Sequence, residues 1–401
     1  MTKFDSGDTA WMLVSSALVM LMTIPGLALF YGGMVRKKNV LATLAQSFAA
    51  TALVTVLWVA AGYSLAFARG GAFVGGASYL LLGPMGMDSA NPLAPTIPES
   101  VYLLFQMTFA IITPALIAGA FADRMKFSAY LWFTGAWLIL VYCPVAHWVW
   151  GGGWLGRLGA LDYAGGTVVH LNAGTAGLVA CLVLGPRRGF KTENMAPHNL
   201  VLSVIGASLL WVGWFGFNAG SAGAANANAG MAAVATQIAA AAAALSWTAM
   251  EWALAGKPSV LGMISGAVAG LVAITPASGF VDPKSALVIG LIAGAACYGS
   301  AVWMKRLAGY DDALDAWGVH GVGGALGAVL TGVFASTAIN PAGASASVLV
   351  QLASVGAVFA YSGVATFAIL KAVDRALGLR VAAEVEIEGL DINLHGETVH
   401  G

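Results

Sequence analysis

Charge is the scarcest commodity in this sequence: Asp, Glu, Lys and Arg make up 9% of 401 residues, against roughly one quarter in soluble domains. Hydrophobic residues make up 59% and the mean hydropathy is +0.83. That balance excludes an ordinary soluble domain, and a formal net charge of zero gives no reason to expect a nucleic-acid partner. Cysteine is nearly absent too. Cys143, Cys181 and Cys297 lie far apart in apolar stretches without ligand spacing, which argues against disulfides and a cysteine-based metal site. No cofactor is implied, and no nucleophile with a paired base is visible, so a membrane enzyme is disfavoured. A basic leader is also missing: Asp5 and Asp8 precede the first apolar segment, which is therefore read as a helix and not as a cleavable signal.

What the chain does have is apolar runs long enough to cross a bilayer. Eleven are expected, near 10–31, 40–67, 101–121, 127–147, 163–185, 198–219, 229–255, 260–277, 284–304, 315–336 and 346–371. The fold class is thus an all-α integral membrane protein. Placing odd-numbered connections inside puts fourteen of the eighteen basic residues in the cytoplasm, among them Arg36, Lys37, Lys38, Arg124, Lys126, Arg187, Arg188, Lys305 and Arg306, and leaves Lys3, Arg69, Arg157 and Lys284 outside. The positive-inside rule then sets the N-terminus out and the C-terminus in. Residues 1–371 form the membrane domain. The segment 372–401, polar and acidic, is expected to be a cytoplasmic tail.

Two histidines occupy matching positions of one repeated pattern. Asp162 is followed after seven residues by His170, with Gly174 and Gly177 beyond; Asp312 is followed after seven by His320, with Gly324 and Gly327. The copies lie 150 positions apart. Five spans per copy would invert the second in the bilayer, so repeat one covers about 10–185, repeat two about 198–336, and span 11 stands outside. Ionisable residues within a span are expensive in hydrocarbon and usually serve function, so the twinned imidazoles point to a pathway; the competing reading is a buried helix-to-helix tie. Metal ligation lacks a third ligand, since His147, His198, His395 and His400 fall near span ends or in the tail.

Asp162 and Asp312 each precede a span, where a carboxylate suits helix capping. Fifty-two glycines suit close helix packing in a membrane, and the run Ala239 to Ala244 reads as helix filler. Aromatics gather at Phe105 and Phe109, at Trp148, Trp150 and Trp154, and at Trp211, Trp214, Phe215 and Phe217. They are either interfacial anchors or the walls of a cation site.

The segments MTIPGLALFYGG (Met22 to Gly33), AHWVWGGG (Ala146 to Gly153), GALDYAGGTVVH (Gly159 to His170), GWFGFNAGSAG (Gly213 to Gly223) and GVHG (Gly318 to Gly321) resemble the ammonium transporter family, in its bacterial Amt branch. The resemblance implies a homotrimer with one pore per subunit, in a prokaryotic inner membrane. It implies that Trp150, Phe109 and Ser221, with Phe105 nearby, form an outer cation site, that Asp162 is the carboxylate below it, that Phe109 and Phe217 are a phenyl gate, and that His170 and His320 line the pore. Trp214 and Asn218 belong to the same segment with less definite roles. The tail, from Gly378 through Glu397, resembles the part through which relatives bind a PII-type signalling protein. Two departures stand out: the absent signal peptide, and Met107, which either narrows the vestibule or faces lipid.

The expected activity is uptake of ammonium, with methylammonium as an analogue, by deprotonation outside, passage of NH3 and separate relay of the proton. The alternatives are an electroneutral NH3 channel, Rhesus-like in its extreme form, and an ammonium sensor acting through a cytosolic partner.

Overall fold

A computed structural model describes residues 4–399 and, among them, helices, turns and two isolated bridges. Among the described residues, ten helices are long and apolar enough to cross a membrane: α1 (Ser6–Met34), α2 (Lys37–Phe67), α3 (Glu99–Phe121), α4 (Phe127–Leu158), α5 (Gly166–Leu184), α6 (Leu200–Gly220), α7 (Ala227–Ala255), α9 (Pro283–Ala308), α10 (Ala316–Phe334) and α11 (Val348–Leu377). The expected eighth span is a shorter helix, α8 (Val260–Ile274), of 15 residues. It ends two residues before Pro276, which has no N–H to continue the helical ladder, and although Thr275 still has helical dihedrals (φ −51°, ψ −49°), tight turns carry the chain on to Phe280, with Ala277 N–H donating to Ile274 (2.9 Å) and Phe280 N–H to Ala277 (2.8 Å).

Small residues decide how closely α7, α8 and α9 pack. A Cβ on Gly270 of α8 or on Gly290 of α9 would lie 2.4 Å from the same carbonyl oxygen, that of Ala239 on α7. The alanine run is therefore more than filler. It is the surface against which two neighbouring helices lay their glycines, the close approach by which membrane helices gain dispersion contact without a hydrophobic driving force.

The two ends of the bundle differ in kind. At one, the N-terminus meets the α6–α7 turn through Ala225 N–H donating to Asp8 (2.8 Å), and the long connection after α2 is tied down by Trp148 Nε1 donating to the Phe73 carbonyl (2.8 Å). His147 joins the same tie, with Nδ1 2.9 Å from the Ala66 carbonyl and Nε2 3.0 Å from that of Gly71.

At the other end lies a buried charge network. Arg124 is fully buried and gives its guanidinium to the carbonyls of Ala120 (3.0 Å), Asp311 (2.7 Å) and Gly185 (3.0 Å). Arg187 pairs with Asp311 (2.7 Å) and Asp123 (3.4 Å), and Arg36 also reaches Asp123 (3.3 Å). Burial alone would raise the Asp311 carboxyl, but the hydrogen bonds and charge of Arg187 outweigh it and hold the group below the usual carboxylate range. These pairs join loops that are distant in sequence.

The C-terminal segment folds onto this charged end. Helix α11 runs to Leu377, six residues past the expected boundary at 371. Beyond Gly378 the chain pairs with the α3–α4 loop, Lys126 N–H donating to Leu379 (2.9 Å) and Val381 N–H to Arg124 (3.1 Å). Glu386 takes Arg380 (2.8 Å) and the amide of Arg188 (2.7 Å). Asp391 accepts the amides of Leu41 (3.0 Å) and Ala42 (2.8 Å) near the start of α2, and Lys38 donates to the Ile387 carbonyl. His400 lies outside the described residues; His395 packs edge-on against Phe127, ring centres 5.0 Å apart.

Candidate functional site

The site is built around the starts of α5 and α10. Each begins as a six-residue π-helical turn, Gly166–Leu171 and Ala316–Gly321, and each turn carries its histidine fifth. Each is preceded by a left-handed residue, Gly165 (φ 115°) and Asp315 (φ 58°), and followed by 13 residues of regular α-helix. The helices cross at their matched glycines in reciprocal fashion. A Cβ on Gly174 would lie 2.2 Å from Gly321 N, and one on Gly324 would lie 2.5 Å from the Gly166 carbonyl oxygen and 3.0 Å from the His170 Cβ. The two helices thus meet closely at their matched glycines, with an imidazole shortly before each contact.

Asp162 stands at the head of α5 and is spent on the backbone. Its carboxylate accepts from the amides of Gly165 (2.8 Å), Gly166 (2.6 Å), Thr167 (2.9 Å) and Val168 (3.1 Å) and from the Thr167 hydroxyl (2.5 Å). These amides are the orphan donors of a helix start, so the capping reading describes the contacts, and Asp162 is not among the residues that line the vestibule described next. Its carbonyl has a second task, accepting Trp150 Nε1 at 2.8 Å. Asp312 caps α10 in the same way with fewer donors, Ala316 N–H (3.0 Å) and Trp317 N–H (2.7 Å).

Trp150, held by that bond, forms one wall of a vestibule of about 270 Å³. Phe105, Phe109 and Ser221 complete the set expected from the sequence, and no lining residue is charged. The Ser221 hydroxyl donates to the Phe217 carbonyl (2.8 Å), which leaves its oxygen lone pairs for a donor in the vestibule. Three polar lining side chains were not anticipated: Tyr102, Tyr163 and Gln106. Gln106 is the one the sequence signals, being a polar residue inside an apolar span, and its Oε1 is buried without a protein partner. Met107 is buried among packed helices and is absent from the vestibule wall, so it neither narrows the vestibule nor faces lipid.

Below the vestibule the rings run in series. Phe109 meets Trp150 edge-on at 5.9 Å between centres and stacks on Phe217 at 4.1 Å. Phe217 lies 5.9 Å from the His170 ring, and His170 lies 5.3 Å from His320, with the two Nδ1 atoms 3.3 Å apart. Only one proton fits between those nitrogens, so one imidazole donates and the other accepts there. His170 Nε2 has no protein partner. Trp214 stacks on His170 at 5.3 Å and is itself fixed by Nε1 donating to Thr275 Oγ1 (2.9 Å). Asn218, by contrast, is a tie between helices through Thr236 (2.9 Å).

Past His320 a second, smaller cavity of about 40 Å³ opens toward the charged end, lined by Phe30, Met34, Ser265 and Asp315 among others. Neither Ser265 nor Asp315 was anticipated as a lining residue. Among the described residues no group of three or more His, Cys, Asp or Glu could hold a metal ion.

An uncharged aromatic vestibule, a stacked phenyl pair and two touching imidazoles, threaded in that order through a multi-pass helical bundle, define a membrane transporter or channel for a small solute. Comparison with known proteins specifies which. The profile of the Ammonium Transporter Family matches residues 10–400. An ammonium transporter of Bacillus subtilis is 49% identical over 401 residues, covering 98% of each chain, and one of Aquifex aeolicus is 50% identical, covering 99% of this chain and 94% of that one. Among solved structures, Candida albicans Mep2 superposes with a TM-score of 0.88 at 37% identity, covering 95% of this chain and 88% of its own, and a protein described as a sensor Amt does so with 0.89 at 27%, covering 97% and 98%. The chain belongs to the ammonium transporter family, whose members are transporters and not enzymes.

Proposed function

We propose that this protein takes up ammonium by binding NH4+ in the aromatic vestibule, removing a proton there, and passing NH3 through the histidine-lined pore. The observation that carries this reading is the linear order of the site: aromatic cage, stacked Phe109 and Phe217, then His170 and His320 at 3.3 Å. Transferring an ammonium-sized ion into a medium of low dielectric costs about 20 kcal/mol in the idealised limit. Deprotonating an amine with a lysine-like pKa at pH 7 costs only about 4.6 kcal/mol. A pore this apolar selects the cheaper route.

The vestibule supplies what a cation needs before it loses its shell. Ring faces attract it by up to about 2 kcal/mol each when desolvated, and the Ser221 hydroxyl oxygen offers an acceptor. Asp162 acts through position: its carbonyl holds Trp150, its carboxylate holds the head of α5, and its charge favours a cation above. The imidazole pair is the candidate proton relay, since an imidazole both gives and takes a proton near neutral pH. Net movement is then of charge.

The same reading places the vestibule outside and the charged end in the cytoplasm, with the N-terminus out and the C-terminus in, in the inner membrane, as a homotrimer. Segment 372–401 is the regulatory tail, with a PII-type protein its candidate partner and methylammonium the transport analogue. A second reading, an ammonium sensor, is favoured by one observation, the similarity to the solved sensor Amt.

Current on a solid-supported membrane after an ammonium jump at fixed pH tests the proposal. Wild type gives a saturable transient and the double variant His170→Ala, His320→Ala gives none. Full current and selectivity in that variant would sink the relay. Ammonia uptake without current means an electroneutral channel; neither signal points to the sensor.

A further inference from the structure

The two mouths of the pathway treat cations differently, and the difference rests on one lysine. No charged side chain lines the aromatic vestibule. The smaller cavity beyond His320 has one carboxylate in its wall, Asp315. A carboxylate at that place is a ready site for NH4+ arriving from, or leaving to, the charged end. Asp315 is already occupied: Lys305, near the end of α9, places its Nζ on Oδ1 and also reaches the Asp312 carbonyl (3.4 Å).

A lysine head group is a primary ammonium with three N–H donors. It is the nearest thing to NH4+ that a side chain can offer, and here it is tethered. The pair sits at the lip and is not sealed away, with the side chains 25% and 36% exposed, so a free cation can compete for the same oxygen. Asp315 is held in place by its left-handed backbone at the head of α10, and Lys305 reaches it from the end of α9, ten residues earlier, across the short α9–α10 connection.

We propose that Lys305 is a built-in competitor for ammonium at the inner mouth: by occupying Asp315 it keeps that carboxylate from trapping NH4+, so that uptake continues against ammonium already inside. This rests on the uptake reading above. Removing the lysine uncovers a carboxylate beside the exit, and internal ammonium then holds the pathway in a product-loaded state.

The test is initial uptake of radiolabelled methylammonium into right-side-out vesicles preloaded with graded ammonium chloride at fixed internal pH. Lys305→Met shifts inhibition by internal ammonium to about five-fold lower concentration, the ratio that one exposed ion pair is worth. Lys305→Gln, which keeps a hydrogen-bond donor in the same space, shows the same shift and guards against a variant that fails to assemble. Lys305→Arg stays with wild type. Adding Asp315→Asn to Lys305→Met reverses the shift. Equal inhibition in wild type and both neutral variants, or no reversal in the double variant, overturns the inference while leaving uptake intact. No methylammonium uptake by wild type overturns both.

Discussion

The heads of α5 and α10 are copies of one element, yet they are finished differently. Both carry a capping aspartate, a left-handed residue, a π turn with a histidine, and a glycine crossing. Around the first, the carboxylate accepts five hydrogen bonds and the surrounding walls are uncharged and aromatic. Around the second, the carboxylate accepts two, and the neighbouring cavity contains Asp315 under Lys305. What is shared holds the imidazoles together at the crossing, which a two-fold arrangement requires. What differs lies at the mouths, where the proposed uptake would capture a cation on one side and release it on the other.

Truncating the capping aspartates is expected to separate the two copies most sharply. Asp162→Ala strands four buried amides and a hydroxyl and is expected to cost about 4 kcal/mol or more, because hydrogen bonds to a charged acceptor are worth roughly 1.5–3 kcal/mol each. Asp312→Ala strands two amides and is expected to cost about half as much. Thermal unfolding followed by size-exclusion of detergent-solubilised protein ranks them. Equal losses would mean that the number of donors does not set the difference.

The glycine crossing offers the opposite test, since the copies are equivalent there. Gly174→Ala and Gly324→Ala each force a methyl into the partner backbone and are expected to cost about 1–3 kcal/mol by overpacking. Each is also expected to widen the gap between the imidazoles and depress uptake. A large effect at one glycine with none at the other would break the reciprocity read from the contacts.

The smallest expected effect is a pH dependence at the second head alone. Burial, reinforced by the nearby charge of Asp315, pushes the Asp312 carboxyl up to about 6. A carboxyl raised on folding binds its proton more tightly in the native state, so stability is expected to rise as pH falls from 7 to 5, by about 1 kcal/mol from this group. Asp312→Asn is expected to flatten that slope in a thermal-shift series, and an unchanged slope would remove Asp312 as its source.

Much of the membrane architecture was legible in the chain. Apolar runs longer than a bilayer is thick have few structural options, because backbone polar groups must be satisfied within the segment. The exception is α8, where the run read to 277 but the helix ends at Ile274 with Pro276 two residues on. The end of α11 was misplaced for the opposite reason. Asp374 and Arg375 read as tail, yet charged residues continue a helix readily once it leaves hydrocarbon, and it stops only near Gly378.

The sequence by itself determined the helices, the duplication that sets His170 against His320, and the aromatic clusters, because hydrophobic length and repeated motifs are properties of local sequence. Tertiary structure alone decided that the imidazoles touch, and that Gln106 and Tyr163 line the vestibule while Met107 does not. Each depends on which turn of one helix meets which turn of another. That register is set by the depth at which glycines let backbones approach, a quantity no single segment carries.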